Sequence, residues 1–270
     1  MVDVICLGHL TRDKMQFYDR KLERRGGPAY FISQALADQK ILPGIVSVVD
    51  ENFNKSLYGV DTEGIKVVDT MTTVEITEDE KGVRGHISLY GPTIDSSSIP
   101  KIYLDANIAV VSTVKDEVPL HLIQSLSDRG MIIALDLQGY LRTTNGKEEA
   151  ITAAVMADYI KITESELEKL TSEETLEKRI LQLNSEVNAE AIAVTRGRKG
   201  VSLYHEGDII SLETVAVNGV QTAGAGDLFF GHLIGRIKQG ESFKEAASQA
   251  QWYVFSKLEQ RLAKLNEVKK

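Results

Sequence analysis

Chemistry first shows in the stretch Val220-Gln-Thr-Ala-Gly-Ala-Gly-Asp-Leu-Phe-Phe-Gly231, where a carboxylate, Asp227, directly follows Gly224, Ala225 and Gly226. Residues this small let backbone amides come close to an anionic ligand. Apolar residues at Phe229, Phe230, Leu233, Ile234 and Ile237, ended by Gly240, predict a helix whose N-terminus is the Gly224 to Asp227 turn. Free N–H groups and the positive end of the helix dipole collect there, so the turn suits phosphate oxygens or a developing negative charge. A carboxylate at this point has two uses. It can cap the helix, or it can serve as general base beside an anion hole, taking a proton from a hydroxyl that attacks phosphorus. Three small residues in a row favour the second use, because a plain cap does not need them.

Four other stretches carry polar groups next to apolar runs. Asp13 follows the first run; a short carboxylate at a strand end can accept two hydroxyl donors, and a solvated loop acid is the bland alternative. Leu135-Asp-Leu-Gln-Gly-Tyr-Leu-Arg142 places Asp136, Gln138 and Arg142 where a polyol or a phosphate could be read. The alternative is that Asp136 merely ends its strand and Arg142 pairs with it. Lys161-Ile-Thr-Glu-Ser-Glu166 offers oxygen ligands of the kind magnesium takes, although Glu164, Glu166 and Glu168 also read as a solvated helix face. Thr195-Arg-Gly-Arg-Lys-Gly200 offers a hydroxyl and glycine backbone beside three cations, Arg196, Arg198 and Lys199; as a bare pattern it is equally a β-turn.

These groups need a scaffold, and the hydrophobic pattern supplies one. Val2 to Leu7 is a nearly unbroken apolar run, as in a strand buried on both faces. Helix-compatible spacing follows from Pro28 to Ala37, then a second buried strand from Ile45 to Val49. Strand and helix alternate again at Ile108 to Val111 with Pro119 to Asp128, Met131 to Leu137 with Lys147 to Met156, and Tyr159 to Ile162 with Ser165 to Leu170, before Ala191 to Thr195. This alternation predicts an α/β fold, a parallel sheet with helices on both faces. Two regions break the rhythm. Met15 to Tyr18 interrupts the first connection, and Val67 to Tyr90 reads as two or three strands around a turn at Asp79 to Gly82. Together they predict a small β layer, a lid or a surface for a homodimer, within one domain spanning residues 1–270 and with lid strands near 13–25 and 67–92.

Composition narrows the function classes. The 270 residues carry 31 basic and 39 acidic side chains, a net charge of −8, which argues against a nucleic-acid partner. No stretch approaches the roughly 20 apolar residues of a membrane helix, and the N-terminus has no basic leader, so a cytoplasmic protein is expected. The single cysteine, Cys6, excludes an internal disulfide or a cysteine zinc cluster and reads as a buried, inert thiol. A dinucleotide-binding dehydrogenase is disfavoured because Gly8-His-Leu-Thr-Arg lacks the glycine fingerprint that such a fold carries at its first turn.

The segment Gln221-Thr-Ala-Gly-Ala-Gly-Asp-Leu-Phe-Phe-Gly231 resembles the D-T-x-G-A-G-D-x-F-x-G signature of the PfkB, or ribokinase-like, carbohydrate kinases. The resemblance implies a three-layer sandwich with a mostly parallel central sheet and a small β lid. It implies Asp227 as catalytic base, with the amides of Gly224, Ala225 and Gly226 as the anion hole. Gly26-Gly27-Pro28-Ala29-Tyr30-Phe31 resembles the family's double-glycine substrate motif, and Asp13 stands where relatives bind substrate hydroxyls. Gln138 and Arg142 are similar to the substrate-reading positions of an inositol-kinase-like branch. Lys161-Ile-Thr-Glu-Ser-Glu166 resembles K-P-N-x-x-E, which implies Lys161, Thr163 and Glu166 near the nucleotide, with Glu166 holding magnesium through water. Thr195, Gly197 and Gly200 match a T-x-G-x-x-G nucleotide loop, and the helix from Ala246 to Phe255 puts Gln251 by the adenine, with Trp252 and Tyr253 in the core. Three positions depart. Gln221 replaces an Asp that helps build the family's monovalent-cation site, which puts a potassium requirement in doubt. Thr163 and Phe31 each replace an Asn. The implied function is ATP- and Mg2+-dependent phosphorylation of a hydroxyl on a small sugar or polyol; the rivals are a nucleoside kinase and a non-catalytic sensor.

Overall fold

The computed structural model describes residues 1–17, 20–79 and 82–267. In chain order these form β1 (Val4–Leu7), β2 (Thr11–Phe17), β3 (Arg20–Gly26), α1 (Pro28–Ala37), β4 (Pro43–Val49), β5 (Ile65–Val67), β6 (Thr73–Asp79), β7 (Gly82–Leu89) and β8 (Ile108–Ser112). Then come α2 (Leu120–Ser127), β9 (Ile132–Asp136), α3 (Gly146–Ala154), β10 (Tyr159–Thr163), α4 (Glu164–Leu170), α5 (Leu176–Val187), β11 (Ala191–Thr195), β12 (Val201–His205), β13 (Asp208–Leu212), α6 (Ala225–Lys238) and α7 (Phe243–Glu267).

One sheet runs in the order β13-β12-β11-β10-β9-β8-β1-β4-β5. All pairings from β11 to β5 are parallel, and the hairpin of β12 and β13 closes the other edge antiparallel. Alternate residues of each central strand enter different cores. Val4 and Cys6 pack with α1, α6 and α7, while Ile5 and Leu7 pack with α2 to α5. Being apolar on both faces is therefore what makes β1 read as an unbroken hydrophobic run. Burial pushes the Cys6 thiol far above its ordinary range, as expected of an inert sulfur.

A second, four-stranded sheet has the order β3-β2-β6-β7, with β2 and β6 parallel at its centre. Along β2, buried Thr11, Asp13 and Met15 alternate with exposed Lys14, so one face of this sheet turns toward the larger body. Val67 belongs to the main sheet through β5, and the small sheet resumes only at Thr73. Tyr18, and Glu80 and Lys81 in the middle of the expected turn, lie outside the described residues. The C-terminal ends of β1, β8, β9, β10 and β11 share one edge of the main sheet, the side where open α/β folds bind ligands.

Candidate active site

Two cavities open at that edge. One, of about 660 Å³, is lined by Lys161, Thr163, Thr195, Gly197, Gly200 and Gln251 from β10, β11, their following turns and α7. The other, of about 550 Å³, lies under the small sheet and is lined by Asp13, Gly27, Arg142 and the apolar Val74, Ile76 and Ile87. Gln138, Ala223, Gly224 and Asp227 line both. The carboxylate at the start of α6 therefore faces two ligand volumes at once.

The turn that carries it is built around Gly224. This residue is the N-cap of α6 and adopts φ 84°, a left-handed conformation that favours glycine. A Cβ there would lie 2.6 Å from the ring of Phe31, so the second requirement is steric. The Ala225 N–H donates to the Thr222 carbonyl at 2.9 Å, which corrects the expectation that all three small residues offer amides to an anion. Gly224 and the first-turn residues Gly226 and Asp227 supply the amides that remain. Gly226 passes over Lys161, whose ammonium is 3.4 Å from where a Cβ would stand.

Lys161 is 2% exposed and pairs with the fully buried Asp136 at 2.8 Å. Asp136 also accepts from the Ser112 hydroxyl at 3.1 Å and the Gln138 N–H at 3.2 Å. It is thus a structural anion rather than a reader of polyol hydroxyls, and it does not pair with Arg142, which donates to the Val114 carbonyl at 2.8 Å. Burial pushes the Asp227 carboxyl up to about 7; Lys161 and Arg142 oppose the rise, while Asp136 and Asp13 add to it. Asp13, 3% exposed, is also raised, chiefly by burial, against hydrogen bonds from Thr11 and the neighbouring Arg24 charge.

The glycine pair works through close packing. A Cβ on Gly26 would overlap the Asp13 carboxylate at 2.0 Å, and Gly27, at φ 90°, passes 2.2 Å from the His9 carbonyl by the same measure. Gly26 therefore supports Asp13 from behind without lining a cavity. Glu166 lies one step outside the larger cavity, whose wall here is Thr163, Glu164 and Ser165. The Glu166 carboxylate accepts from the Thr163 N–H at 2.9 Å while the Thr163 hydroxyl accepts from the Glu166 N–H at 3.3 Å, a reciprocal cap on α4. The other carboxylate oxygen takes no part in that cap. Among the described residues no three His, Cys, Asp or Glu side chains cluster as metal ligands. That donor set fits a magnesium ion held mainly by phosphate oxygens and water.

Some features escaped the sequence reading. Trp252, expected in the core, is 63% exposed and with Phe255 lines a third cavity of about 240 Å³ that shares Thr214 and Gln251 with the larger one. Tyr253 stacks on His232 at 4.4 Å and donates its hydroxyl to Asp38. Thr11, Arg24 and Lys115 line the smaller-sheet cavity without having carried any motif.

A doubly wound sheet with two cavities meeting at a helix-start carboxylate is an α/β scaffold for small-molecule ligands. Residues 54–259 match the model of the pfkB family of carbohydrate kinases, and the chain belongs to that family. It is 26% identical over 237 residues to inositol 3-kinase of Arabidopsis thaliana, covering 83% of this chain and 65% of that protein. With probable fructokinase-3 of the same plant it shares 25% identity over 83% of this chain and 68% of the relative. The chain thus spans about two thirds of the length of these curated relatives. A solved pyrophosphate-dependent kinase of the ribokinase family, complexed with a pyrophosphate analogue and myo-inositol, superposes with a TM-score of 0.81 at 16% identity, covering 95% of each chain. The ribokinase-like fold expected from the sequence is the fold observed.

Proposed function

We propose that this protein is a kinase that transfers a phosphoryl group from ATP to a hydroxyl of a small sugar or polyol, inositol-like or ribose-like. The observation that carries this reading is the position of Asp227 in the shared wall of the two cavities. The larger cavity takes the donor: Thr195, Gly197 and Gly200 border its phosphates, and Gln251 borders the base. The smaller-sheet cavity takes the acceptor, with Asp13, Gln138 and Arg142 bonding its hydroxyls.

In this reading Asp227 accepts the proton of the attacking hydroxyl. The acceptor oxygen forms its bond to the terminal phosphorus as the bond from that phosphorus to the bridging oxygen breaks, and ADP leaves. Amides at the α6 N-terminus, with Lys161 beneath them, hold the equatorial oxygens as negative charge shifts. Magnesium, when bound, neutralises donor phosphates; Glu166 would orient one of its waters. The small sheet covers the acceptor as a lid and keeps water from competing with it. The acidic net charge and the need for ATP fit a cytoplasmic enzyme without a nucleic-acid partner.

Pyrophosphate is a second donor reading, favoured by the pyrophosphate dependence of the superposed kinase. The adjoining 240 Å³ aromatic cavity favours ATP, because a diphosphate has no group to fill it. The test incubates the protein with magnesium, ATP or pyrophosphate, and a panel of inositols, ketoses, aldoses and nucleosides, following the phosphorylated acceptor by mass spectrometry. Asp227→Asn should lower kcat by about 10²- to 10⁴-fold and leave nucleotide affinity within a fewfold. Near-normal turnover in that variant would remove the proposed base.

A further inference from the structure

The loop before α6 is held by two arginines that come from opposite ends of the chain: Arg24, in the wall of the acceptor-side cavity, and Arg261, which lines neither of the two cavities. Arg261, on α7, donates through one Nη1 to the carbonyls of Gln221 at 2.9 Å and Ala223 at 3.1 Å. Arg24, on β3, donates to the Gln221 side-chain oxygen and, at 3.3 Å, to the same Ala223 carbonyl. Both guanidinium groups lie against the Phe31 ring, with their centres 5.1 Å (Arg24) and 5.9 Å (Arg261) from its centroid. The same ring blocks any Cβ on Gly224. The Gln221 amide is fixed in turn by its contact with Met15 sulfur at 3.0 Å.

A peptide unit is planar and trans, so its carbonyl and its N–H point to opposite sides. Drawing the Ala223 oxygen toward two cations therefore sends the Gly224 N–H away from them, toward the cleft. Two carbonyl oxygens converging on one place repel each other unless a positive charge stands between them. Residues 213–224 belong to no helix or strand, so the loop has little ladder of its own to resist that repulsion. The glutamine at 221 matters here. A neutral amide adds no second carboxylate beside the Arg24 guanidinium, which already faces Asp13.

We infer that Arg24 and Arg261 are positioning residues for phosphoryl transfer: a cation pair built into the chain that orients the anion-hole peptides of the Gly224 turn. The inference rests on the kinase reading of that turn. Arg24 also approaches Asp13 at 3.5 Å, so the pair ties the hole to the acceptor side of the cleft. Because the charge is covalently held, the hole needs no dissociable monovalent cation.

The test compares wild type with Arg261→Ala and Arg261→Lys, measuring kcat, KM for donor and acceptor, melting temperature, and amide hydrogen exchange across residues 219–227. In Arg261→Ala, kcat should fall about 10- to 100-fold with both KM values within about threefold, and exchange in the loop should quicken. Millimolar guanidinium should restore kcat and slow that exchange, and Arg261→Lys should retain more activity than Arg261→Ala. Wild-type kcat should be equal in potassium and in tetramethylammonium buffers. Unchanged kcat and exchange in Arg261→Ala, a loss that guanidinium leaves unrepaired, or a wild type that requires free potassium would each overturn the inference. Should Arg261→Ala fail to fold, Arg261→Gln against Arg261→Lys at matched melting temperature decides by the same readouts. A wild type with no turnover on any donor overturns the kinase reading alone, while exchange in the loop still tests the clamp.

Discussion

A carboxylate pushed up to about 7 makes the base, if Asp227 is the base, visible in a pH profile. At pH 6 only about 9% of such a group is ionised, and at pH 8 about 91%, so kcat/KM should rise about tenfold between them. An ordinary carboxylate near 3.9 is about 99% ionised already at pH 6 and gives a flat profile over the same range. The assay measures initial rates of acceptor phosphorylation from pH 5.5 to 9 at constant ionic strength. The donor is held well below its KM so that the profile reports the donor-free enzyme. Two variants separate Asp227 from any other titrating group. Asp13→Asn removes a negative neighbour and should move the midpoint down, whereas Arg142→Gln removes a positive one and should move it up. Both residues line the acceptor cavity, so the midpoint, not the absolute rate, is the quantity to compare. A profile flat from pH 5.5 upward, or midpoints that ignore both variants, would refute the assignment of the base and its electrostatic setting.

The same burial has a cost in stability. The folded carboxyl binds its proton more tightly than the unfolded one, so its favourable contribution is present below about pH 4 and is lost as pH rises to about 7. Above that, Asp227→Asn should melt several degrees higher than wild type, the rise from 3.8 to about 7 corresponding to as much as about 4 kcal/mol, and should match it near pH 4; a variant that melts lower at pH 8 contradicts this. Glu166→Gln keeps a side chain that can complete the cap on α4, so its melting temperature should stay within about 1 °C. Its magnesium requirement should rise several-fold, and an unchanged magnesium titration would leave Glu166 with the capping role alone. Gly224→Ala meets both a left-handed backbone and the Phe31 ring, and should lose at least about tenfold in kcat. Ala225→Gly, which changes no required conformation and no free amide, should lose far less.

What the sequence made legible follows from the range of the interaction concerned. β1, β8 and β11 are buried on both faces, so their apolar runs declare them, and Pro28–Ala37 was bounded by its own glycine pair and proline. Helix α5 escaped although Ile180, Leu183 and Val187 repeat at helical spacing behind a Thr175 cap; the acidic stretch before it hid the start. Val67 read as lid because strand pattern does not say which sheet a strand joins. The site divides in the same way. A turn of small residues followed by a carboxylate is a local signal, and it led to Asp227. The pairing of Asp136 with Lys161 joins two strand ends, and nothing in Leu135 to Arg142 distinguishes a buried counter-ion from a hydroxyl reader.

The departures at Gln221 and Phe31 show how this ambiguity is resolved in space. Taken one at a time along the chain, each looks like erosion of a motif and lends weight to a non-catalytic sensor. In the structure they are neighbours, joined by Arg24 and Arg261 into one contact set around the Gly224 turn. Loss of function would let such positions drift independently, leaving unfilled volume or unmatched charge where the old partners stood. Here the ring fills the space against Gly224, the amide meets both a guanidinium and a sulfur, and the cations meet carbonyls. Mutual compensation among four residues from β3, α1, the loop before α6 and α7 is what an anion hole with altered support would require, and it counts against the sensor.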